Sequence, residues 1–222
     1  MVDYRKLRLH NLTSPTYKHL FLLLFWVFFG TVFGTVERLI PRDYYMPMWC
    51  PLDDWIPFCE WFMIPYVFWF AFLVGMHIYL GLFDIPGFRR FMYFIMFTYG
   101  VTAVIYLIWP TCQQLRPTEF ARDNFLTRFA AAYYRFDTNT NVCPSLHVVG
   151  SMAVAFGALD TRRFQTRGWR WAFMGTALVI SFSTVFVKQH SIIDVFWAFV
   201  LCAVGYVLVY CLPGWIPGRK ER

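Results

Sequence analysis

The stretch WFMIPYVFWFAFLVGMHIYLGLF, residues 61–83, is an apolar run without a single Asp, Glu, Lys or Arg. About 20 mostly apolar residues are needed to cross a bilayer as a helix, because no water inside the bilayer would satisfy any other backbone conformation. This stretch therefore predicts a membrane-spanning helix. The whole chain agrees, since 59% of its 222 residues are apolar and only 15% are charged, unlike a soluble domain of this size.

Five further stretches are apolar enough to cross a membrane, although the fourth and fifth of the six are short. The sequence therefore predicts an all-α, polytopic membrane protein, in which six transmembrane helices form a bundle and residues 1–222 form a single domain. The predicted spans are approximately residues 20–36, 61–83, 91–111, 145–159, 171–187 and 192–212.

The charges between the spans predict the orientation of the bundle, because Lys and Arg concentrate in cytoplasmic loops. Placing both termini in the cytoplasm assigns 13 of the 20 basic residues to that side. Orientation and attraction to anionic lipids account for the net charge of +7, and no basic stripe outside the spans indicates nucleic acid as a partner. The 13 residues are Arg5, Lys6, Arg8, Lys18, Arg89, Arg90, Arg162, Arg163, Arg167, Arg170, Arg219, Lys220 and Arg222.

The six cysteines allow disulfides without fixing them. Cys50 and Cys59 fall in the first outer loop, whereas Cys112 and Cys143 flank the second, so either pair is free to bridge in an oxidising compartment. The other two lie in the last span and are expected to be packing residues. Because no Cys–His cluster has the spacing of a zinc site, neither a metal nor another cofactor is expected.

Three polar segments are predicted to emerge at one membrane face. With the N-terminus inside, the fourth span begins outside at CPSLHV, residues 143–148, and the sixth begins outside at KQHSIIDV, residues 188–195. The loop that holds QQLRP, residues 113–117, emerges there as well. The sequence therefore predicts that the polar residues of these segments meet at one depth.

Ser145 and His147 open the fourth span behind Pro144, a residue that suits the first turn of a helix because the missing N–H has no partner there. The free N–H groups and the dipole of a helix N-terminus favour an anion, phosphate in particular. With the hydroxyl of Ser145 as a further donor, the segment predicts a phosphate site beside an imidazole. The alternative is that Ser145 only caps the helix and His147 only bonds a backbone carbonyl.

His190 and Asp194 are four residues apart, which on a helix places them on one face within hydrogen-bonding reach. A carboxylate bonded to one ring nitrogen fixes the tautomer and leaves the other nitrogen free as nucleophile or base. A carboxylate at the start of an apolar span also indicates a partner, since its burial is unfavourable. The alternative is a capping box of Ser191 and Asp194 that leaves His190 outside the helix.

Two basic residues on the same predicted face suit phosphate. Arg116, directly before Pro117, offers a bidentate guanidinium, and Lys188 offers a cation two residues before His190. Either alone is typical of a solvated charge. Together with the two histidine segments they favour a phosphate-binding role.

RP at residues 116–117, PSLH at 144–147 and HSIID at 190–194 resemble, in the expected order, the three signature motifs of the type 2 phosphatidic acid phosphatase superfamily. That superfamily comprises integral-membrane lipid phosphatases and relatives such as bacterial undecaprenyl pyrophosphate phosphatases and inositol phosphorylceramide synthase. The resemblance covers about residues 90–212, and the first two spans match only in number and character.

The resemblance implies a role for each motif residue. Ser145 is expected to bind phosphate, and His147 to protonate the leaving oxygen. His190 is expected to attack phosphorus and form a phosphohistidine, while Asp194 orients it. Arg116 matches the phosphate-binding arginine of the first motif.

Two positions depart from the family pattern. Trp109 stands where the first motif has a lysine, and Thr184 stands where the third motif has an arginine. Lys188, one helical turn beyond Thr184 on the same face, is expected to supply one of these cations. Leu146, where many lipid phosphatases have glycine, resembles the synthase-type branch.

The resemblance implies a metal-independent lipid phosphatase that hydrolyses a phosphomonoester or pyrophosphate of a membrane lipid, of the phosphatidic acid, phosphatidylglycerophosphate or polyprenyl pyrophosphate type. The active site is expected on the non-cytoplasmic face of the cell (inner) membrane, with a lipid phosphate and membrane lipids as partners. A lipid head-group phosphotransferase and a non-catalytic lipid-binding protein are the alternatives. The sequence indicates no oligomeric state.

Overall fold

The computed structural model describes residues 2–212, and the chain is almost entirely helical there. The predicted cytoplasmic residues Arg219, Lys220 and Arg222 lie outside the described residues. A 3-10 helix, Lys18–Leu23, leads into α1, and a π-helical turn, Val207–Cys211, continues α8. The α-helices are α1 (Leu24–Leu39), α2 (Pro51–Trp55), α3 (Met63–Phe83), α4 (Ile85–Ile108), α5 (Phe125–Phe136), α6 (Leu146–Asp160), α7 (Arg167–Phe186) and α8 (Ile192–Tyr206).

Several of these helices match the length and composition of membrane spans, so the prediction of an all-helical membrane protein is confirmed. α6 is apolar but has only 15 residues, and α7 begins with Arg167 and Arg170 in its first turn. The number of six spans and the side on which the termini lie therefore stay predictions. Within residues 2–212, the four segments long and apolar enough to cross a membrane are Lys18–Leu39, Glu60–Phe83, Ile85–Ile108 and Ile192–Cys211.

α6 lies at the centre of the bundle because its sequence is small and apolar on all sides. It contacts α3, α4, α7 and α8, and every residue from His147 to Ala155 is buried. Small residues let the neighbouring helices approach closely. A Cβ atom added to Gly150 would lie 2.7 Å from both Trp69 Nε1 and Tyr99 Oη. Gly150 is thus the position at which α6 has no room for a side chain.

The segments that carry the three motifs meet at one end of the bundle. A two-stranded parallel sheet pairs β1 (Met46–Pro47) with β2 (Thr111–Cys112), and Thr140 bridges Cys112 on the same side. The hydroxyl of Tyr106, near the end of α4, donates to the carbonyl of Pro144 at 2.8 Å. The loops after α1, α4 and α5 therefore cover the end of the bundle where α6 and α8 begin.

α5 is a helix that the sequence reading did not predict. Its N-cap residue Asn124 accepts a hydrogen bond from the backbone N–H of Thr127 at 3.0 Å, a capping signal that the sequence does contain. Phe125 and Phe136, at its two ends, are each 78% exposed. Exposed aromatic residues on a short helix at the end of a helical bundle are typical of a membrane interface.

We expect Gly150→Ala to lower the free energy of unfolding by about 1–3 kcal/mol, the range for overpacking a close-packed interior. Thermal and denaturant unfolding of the purified protein in detergent micelles would measure the change. Gly100→Ala is the matched control, because a Cβ atom at Gly100 of α4 would meet nothing within 4 Å. Equal stability of the two variants would contradict the close packing of α6.

Candidate functional site

A cavity of about 220 Å³ lies at the end of the bundle covered by the loops. His147, on the first turn of α6, and His190, two residues before α8, both line it. The centroids of the two rings are 6.1 Å apart. The structure therefore brings the two histidines of the motifs to one cavity, where a single small group can contact both rings.

His190 and Asp194 make the contact that their spacing predicted. The distance from His190 Nδ1 to Asp194 Oδ2 is 3.2 Å, and the carboxylate is fully buried. The same oxygen accepts the backbone N–H of Ser191 at 3.0 Å, so the capping box forms as well and His190 lies outside the helix. The two alternatives coexist. Among the described residues, no hydrogen bond uses His190 Nε2, which is left for a ligand.

The His147 ring is held by aromatic packing. It stacks on the Tyr66 ring at a centroid distance of 4.2 Å and contacts the Trp69 ring at 4.4 Å in a tilted arrangement. Its Nε2 atom is buried without a hydrogen-bond partner in the part of the chain that the structure describes. The alternative that His147 merely bonds a backbone carbonyl therefore has no support, and a buried polar atom without a partner indicates a ligand position.

Ser145 is the N-cap residue of α6, but its hydroxyl does not cap the helix. The Oγ atom is buried without a partner within residues 2–212, while the backbone N–H donates to the carbonyl of Asp194 at 3.3 Å. The expectation that Pro144 lies in the first helical turn is wrong, because α6 begins at Leu146 and Pro144 precedes the N-cap. Ser145 thus joins the starts of α6 and α8 through its backbone and keeps its hydroxyl free.

The Arg116 guanidinium is occupied by neighbouring protein groups. Nη1 donates to the carbonyl of Tyr134 at 2.9 Å, and Nη2 donates to the carbonyls of Asp137 at 2.7 Å and Thr138 at 2.9 Å. Both Nε and Nη2 also donate to Gln189 Oε1. Burial lowers the pKa of Arg116, an effect that the charge of Asp137 opposes. Arg116 therefore ties the end of α5 to the residue before His190.

Lys188 does not lie on the face of α7 that the sequence reading assigned to it. α7 ends at Phe186, and Lys188 has a φ of +54°, so no helical turn joins it to Thr184. Its Nζ atom donates to the backbone carbonyl of Asp53 at 2.6 Å. Burial lowers the pKa of Lys188, which Asp53 and Asp54 oppose. The phosphate-binding roles of Arg116 and Lys188 stay predictions, and neither residue lines the cavity.

Polar residues outside the three motifs complete the site. Asp137 Oδ2 accepts from the hydroxyl of Tyr66 at 2.6 Å and from Gln189 Nε2 at 3.0 Å. Glu37, on α1, accepts hydrogen bonds from Thr138, Thr140 and Asn141. The polar lining residues are Asp137, Thr138, Thr140, Asn141, His147, Gln189 and His190, and the aromatic ones are Phe33, Tyr66, Trp69, Phe70, Tyr106, Tyr133 and Phe136.

Asp53 is a buried carboxylate that the sequence reading missed. Its Oδ2 atom accepts the Ser191 hydroxyl at 2.6 Å, and Oδ1 accepts the backbone N–H of Ile192 at 2.9 Å. It therefore caps the start of α8 from α2. Its place in PLDDW, near Pro51, is a local capping signal for α2 only. Nothing in that signal points to residues 191 and 192.

All six cysteines lie within the described residues, and all are free thiols there. The bridges that Cys50 and Cys59, or Cys112 and Cys143, were free to form are absent from this part of the chain. Burial, together with the nearby Asp194 carboxylate, raises the pKa of the Cys143 thiol. This thiol is therefore poorly suited to act as a nucleophile.

Comparison of the chain with family models, with curated proteins and with solved structures found no match.

We expect Asp53→Ala to lower the free energy of unfolding by about 1–3 kcal/mol, because the buried donors of Ser191 and Ile192 lose their acceptor. Asp54→Ala is the control, since Asp54 is the exposed neighbour on the same short helix and exposed sites usually change stability by less than about 0.5 kcal/mol. Thermal unfolding in detergent micelles compares the two variants. An effect of the same size in both would show that Asp53 does not hold α8.

Proposed function

We propose that this chain is a membrane-embedded lipid phosphatase of the type 2 phosphatidic acid phosphatase superfamily and acts through a phosphohistidine. The observation that carries the proposal is that His147 and His190 line one cavity while His190 Nδ1 contacts Asp194. A nucleophilic nitrogen and a second imidazole across a small space are the groups that in-line phosphoryl transfer by histidine requires.

In the first step, His190 Nε2 attacks phosphorus, so that an N–P bond forms and the bond to the lipid oxygen breaks. His147 gives its proton to that oxygen, and Asp194 holds the Nδ1–H group while positive charge develops on the His190 ring. In the second step, His147 takes a proton from water as the water oxygen attacks the phosphohistidine. Inorganic phosphate leaves, and both histidines return to their starting states.

The phosphate oxygens need donors that keep their positions during the reaction. The first-turn N–H groups of α6 have no acceptor within the helix, which supports a phosphate position at the start of α6. The Ser145 hydroxyl beside them has no partner among the described residues but does not line the cavity, so its contact with phosphate stays a prediction. The contacts of Arg116 and Lys188 with backbone carbonyls support a positioning role, in which each holds a loop beside the histidines.

The proposal counts six spans and places the cavity at the non-cytoplasmic face of a cell (inner) membrane. Other helices surround α6, so it does not need the length of a helix that lipid surrounds. The opposite end of the bundle carries the turn with Arg89 and Arg90 and the segment with Arg162 and Arg163. This charge distribution supports a cytoplasmic location for that end.

We expect His190→Ala to abolish phosphate release from phosphatidic acid, and His147→Ala to slow it by about 10²–10⁴-fold, the usual contribution of a general acid. Phosphate release by the purified protein in mixed micelles measures both. Acid-labile, base-stable label on His190 from a ³²P-labelled lipid would identify the intermediate. Chelation of metal ions by EDTA is expected to leave the rate unchanged, because the proposed mechanism uses histidine side chains as nucleophile and general acid and requires no metal ion.

His10→Ala serves as the control for this experiment, because His10 is exposed near the N-terminus. If neither His190→Ala nor His147→Ala changes hydrolysis of any lipid phosphate, the chain is a non-catalytic lipid-binding protein. Loss of activity with EDTA would instead indicate a metal enzyme.

A lipid head-group phosphotransferase is the second candidate, favoured by the residues that line the cavity. Among the residues that the structure describes, the lining contains no lysine or arginine, so a dianionic phosphomonoester meets no fixed cation there. We expect a phosphotransferase to move a labelled head group from one lipid to an added lipid alcohol without releasing free phosphate. Thin-layer separation of the labelled lipids distinguishes this outcome from hydrolysis.

A further inference from the structure

Seven of the sixteen residues that line the cavity are aromatic, and α3 and α5 supply five of them. Tyr66, Trp69 and Phe70 come from α3, and Tyr133 and Phe136 come from α5. The faces of aromatic rings carry partial negative charge and attract cations, quaternary ammonium groups among them. The lining therefore suits a cation with an apolar surface.

Asp137 adds a carboxylate to this aromatic lining. Its Oδ2 atom accepts from two neutral donors, Tyr66 and Gln189, and within residues 2–212 the carboxylate forms no ion pair. No hydrogen bond of the described residues uses its Oδ1 atom. Burial raises the pKa of Asp137, an effect that the Tyr66 hydrogen bond and the charges of His190 and Arg116 oppose. A cation that enters the cavity would stabilise this carboxylate.

The protein's own cations do not fill that role. Arg116 donates to the backbone carbonyl of Asp137 and not to its carboxylate, and Lys188 donates to the carbonyl of Asp53. In the part of the chain that the structure describes, the cavity thus has a carboxylate and aromatic faces but no lining lysine or arginine. A phosphate that carries its own cation is therefore better matched electrostatically to this cavity than a dianionic phosphate.

We propose that the cavity binds a cationic amine or quaternary ammonium head group, so that the substrate is a phosphodiester lipid with a zwitterionic head group. The ammonium group lies against Asp137, Tyr133 and Phe136, and the phosphate lies between His147 and His190. This inference rests on the phosphohistidine chemistry of the proposed function, but it names a phosphodiester substrate in place of a phosphomonoester.

The step balances for such a lipid. His190 Nε2 attacks phosphorus, the bond to the glyceride oxygen breaks, and His147 gives that oxygen its proton, which releases diacylglycerol. The phosphate with its head group stays on His190. Water, or an alcohol in the transferase reaction, then attacks phosphorus and returns a proton to His147, which frees His190 and yields the head-group phosphate or a new phosphodiester.

Binding of tetramethylammonium chloride to the full chain in detergent micelles tests the cation site directly, by saturation-transfer NMR or calorimetry. We expect saturable binding that Asp137→Asn weakens about 10-fold or more, and that Tyr133→Leu weakens about 3–30-fold, the range for loss of a cation–π contact. Tyr133→Phe keeps the ring and is expected to keep binding. The thermal midpoint of each variant shows that it is folded.

Two controls lie on the same surface outside the cavity. Asp123→Asn removes an exposed carboxylate that pairs with Arg128, and Phe125→Leu removes an exposed ring at the start of α5. Both are expected to bind tetramethylammonium as the unchanged protein does. Absence of saturable binding, or equal weakening by Asp123→Asn and Asp137→Asn, would overturn the site.

Turnover assays distinguish a lipid head group from a free amino alcohol as the source of the cation. They also distinguish failure of the cation site from failure of the proposed function. Diacylglycerol release from phosphatidylcholine vesicles supports a lipid head group, whereas esterification of added choline with phosphatidic acid as donor supports a free amino alcohol in the same site. Asp137-dependent binding without any phosphohistidine upholds the cation site and sinks the proposed function. Phosphatidic acid hydrolysis without tetramethylammonium binding upholds the proposed function and overturns the cation site.

Discussion

One oxygen atom, Oδ2 of Asp194, joins the folding of this chain to its proposed chemistry. It accepts the backbone N–H of Ser191, which begins α8, and it contacts Nδ1 of His190, which fixes the ring that lines the cavity. A buried carboxylate is unfavourable unless such donors surround it. Because Asp194 lies in the first turn of α8, the start of that helix orients the ring of His190, which itself precedes the helix.

Around this pair, charged side chains from distant parts of the chain hold the loops in place. Asp53 caps α8 from α2, and Glu37 binds the segment from Thr138 to Asn141. Arg116 connects the carbonyls at the end of α5 with Gln189. Each of these charged groups forms hydrogen bonds with several neutral donors or acceptors. These directional contacts fix a loop at several points, whereas pairing with one opposite charge would fix it at a single point.

The sequence predicted those features that depend on local patterns. Apolar runs marked the helices, and the four-residue spacing marked the contact between His190 and Asp194. The contacts of Asp53 with Ser191 and of Glu37 with Thr140 join positions more than 100 residues apart, and no local pattern encodes such a pairing. The ends of the helices were also predicted inaccurately from the sequence. The residue at which a helix ends decides the direction of the side chains that follow it.

Lys188 illustrates how much depends on such a boundary. The argument that placed it one turn beyond Thr184 assumed that α7 continues, whereas the helix ends at Phe186 and the positive φ of Lys188 turns the chain. The amine consequently donates to the backbone carbonyl of Asp53 on α2 and does not line the cavity. Pro144 shows the same effect on a smaller scale, because α6 begins two residues later than a proline in the first turn requires.

The contacts of the basic residues determine what kind of charge the cavity accepts. A lysine or arginine pointing into this small cavity would be desolvated without a partner whenever the site is empty, which is unfavourable. Bonded to backbone carbonyls, Arg116 and Lys188 avoid that state, and the charge left at the cavity is the negative charge of Asp137. Under the proposed function, positive potential at the phosphate position comes from the α6 N-terminus. The partial charge of a helix N-terminus is smaller than the full charge of a guanidinium, so under the proposal a substrate whose own ammonium group neutralises its phosphate gains more from this cavity than one without it.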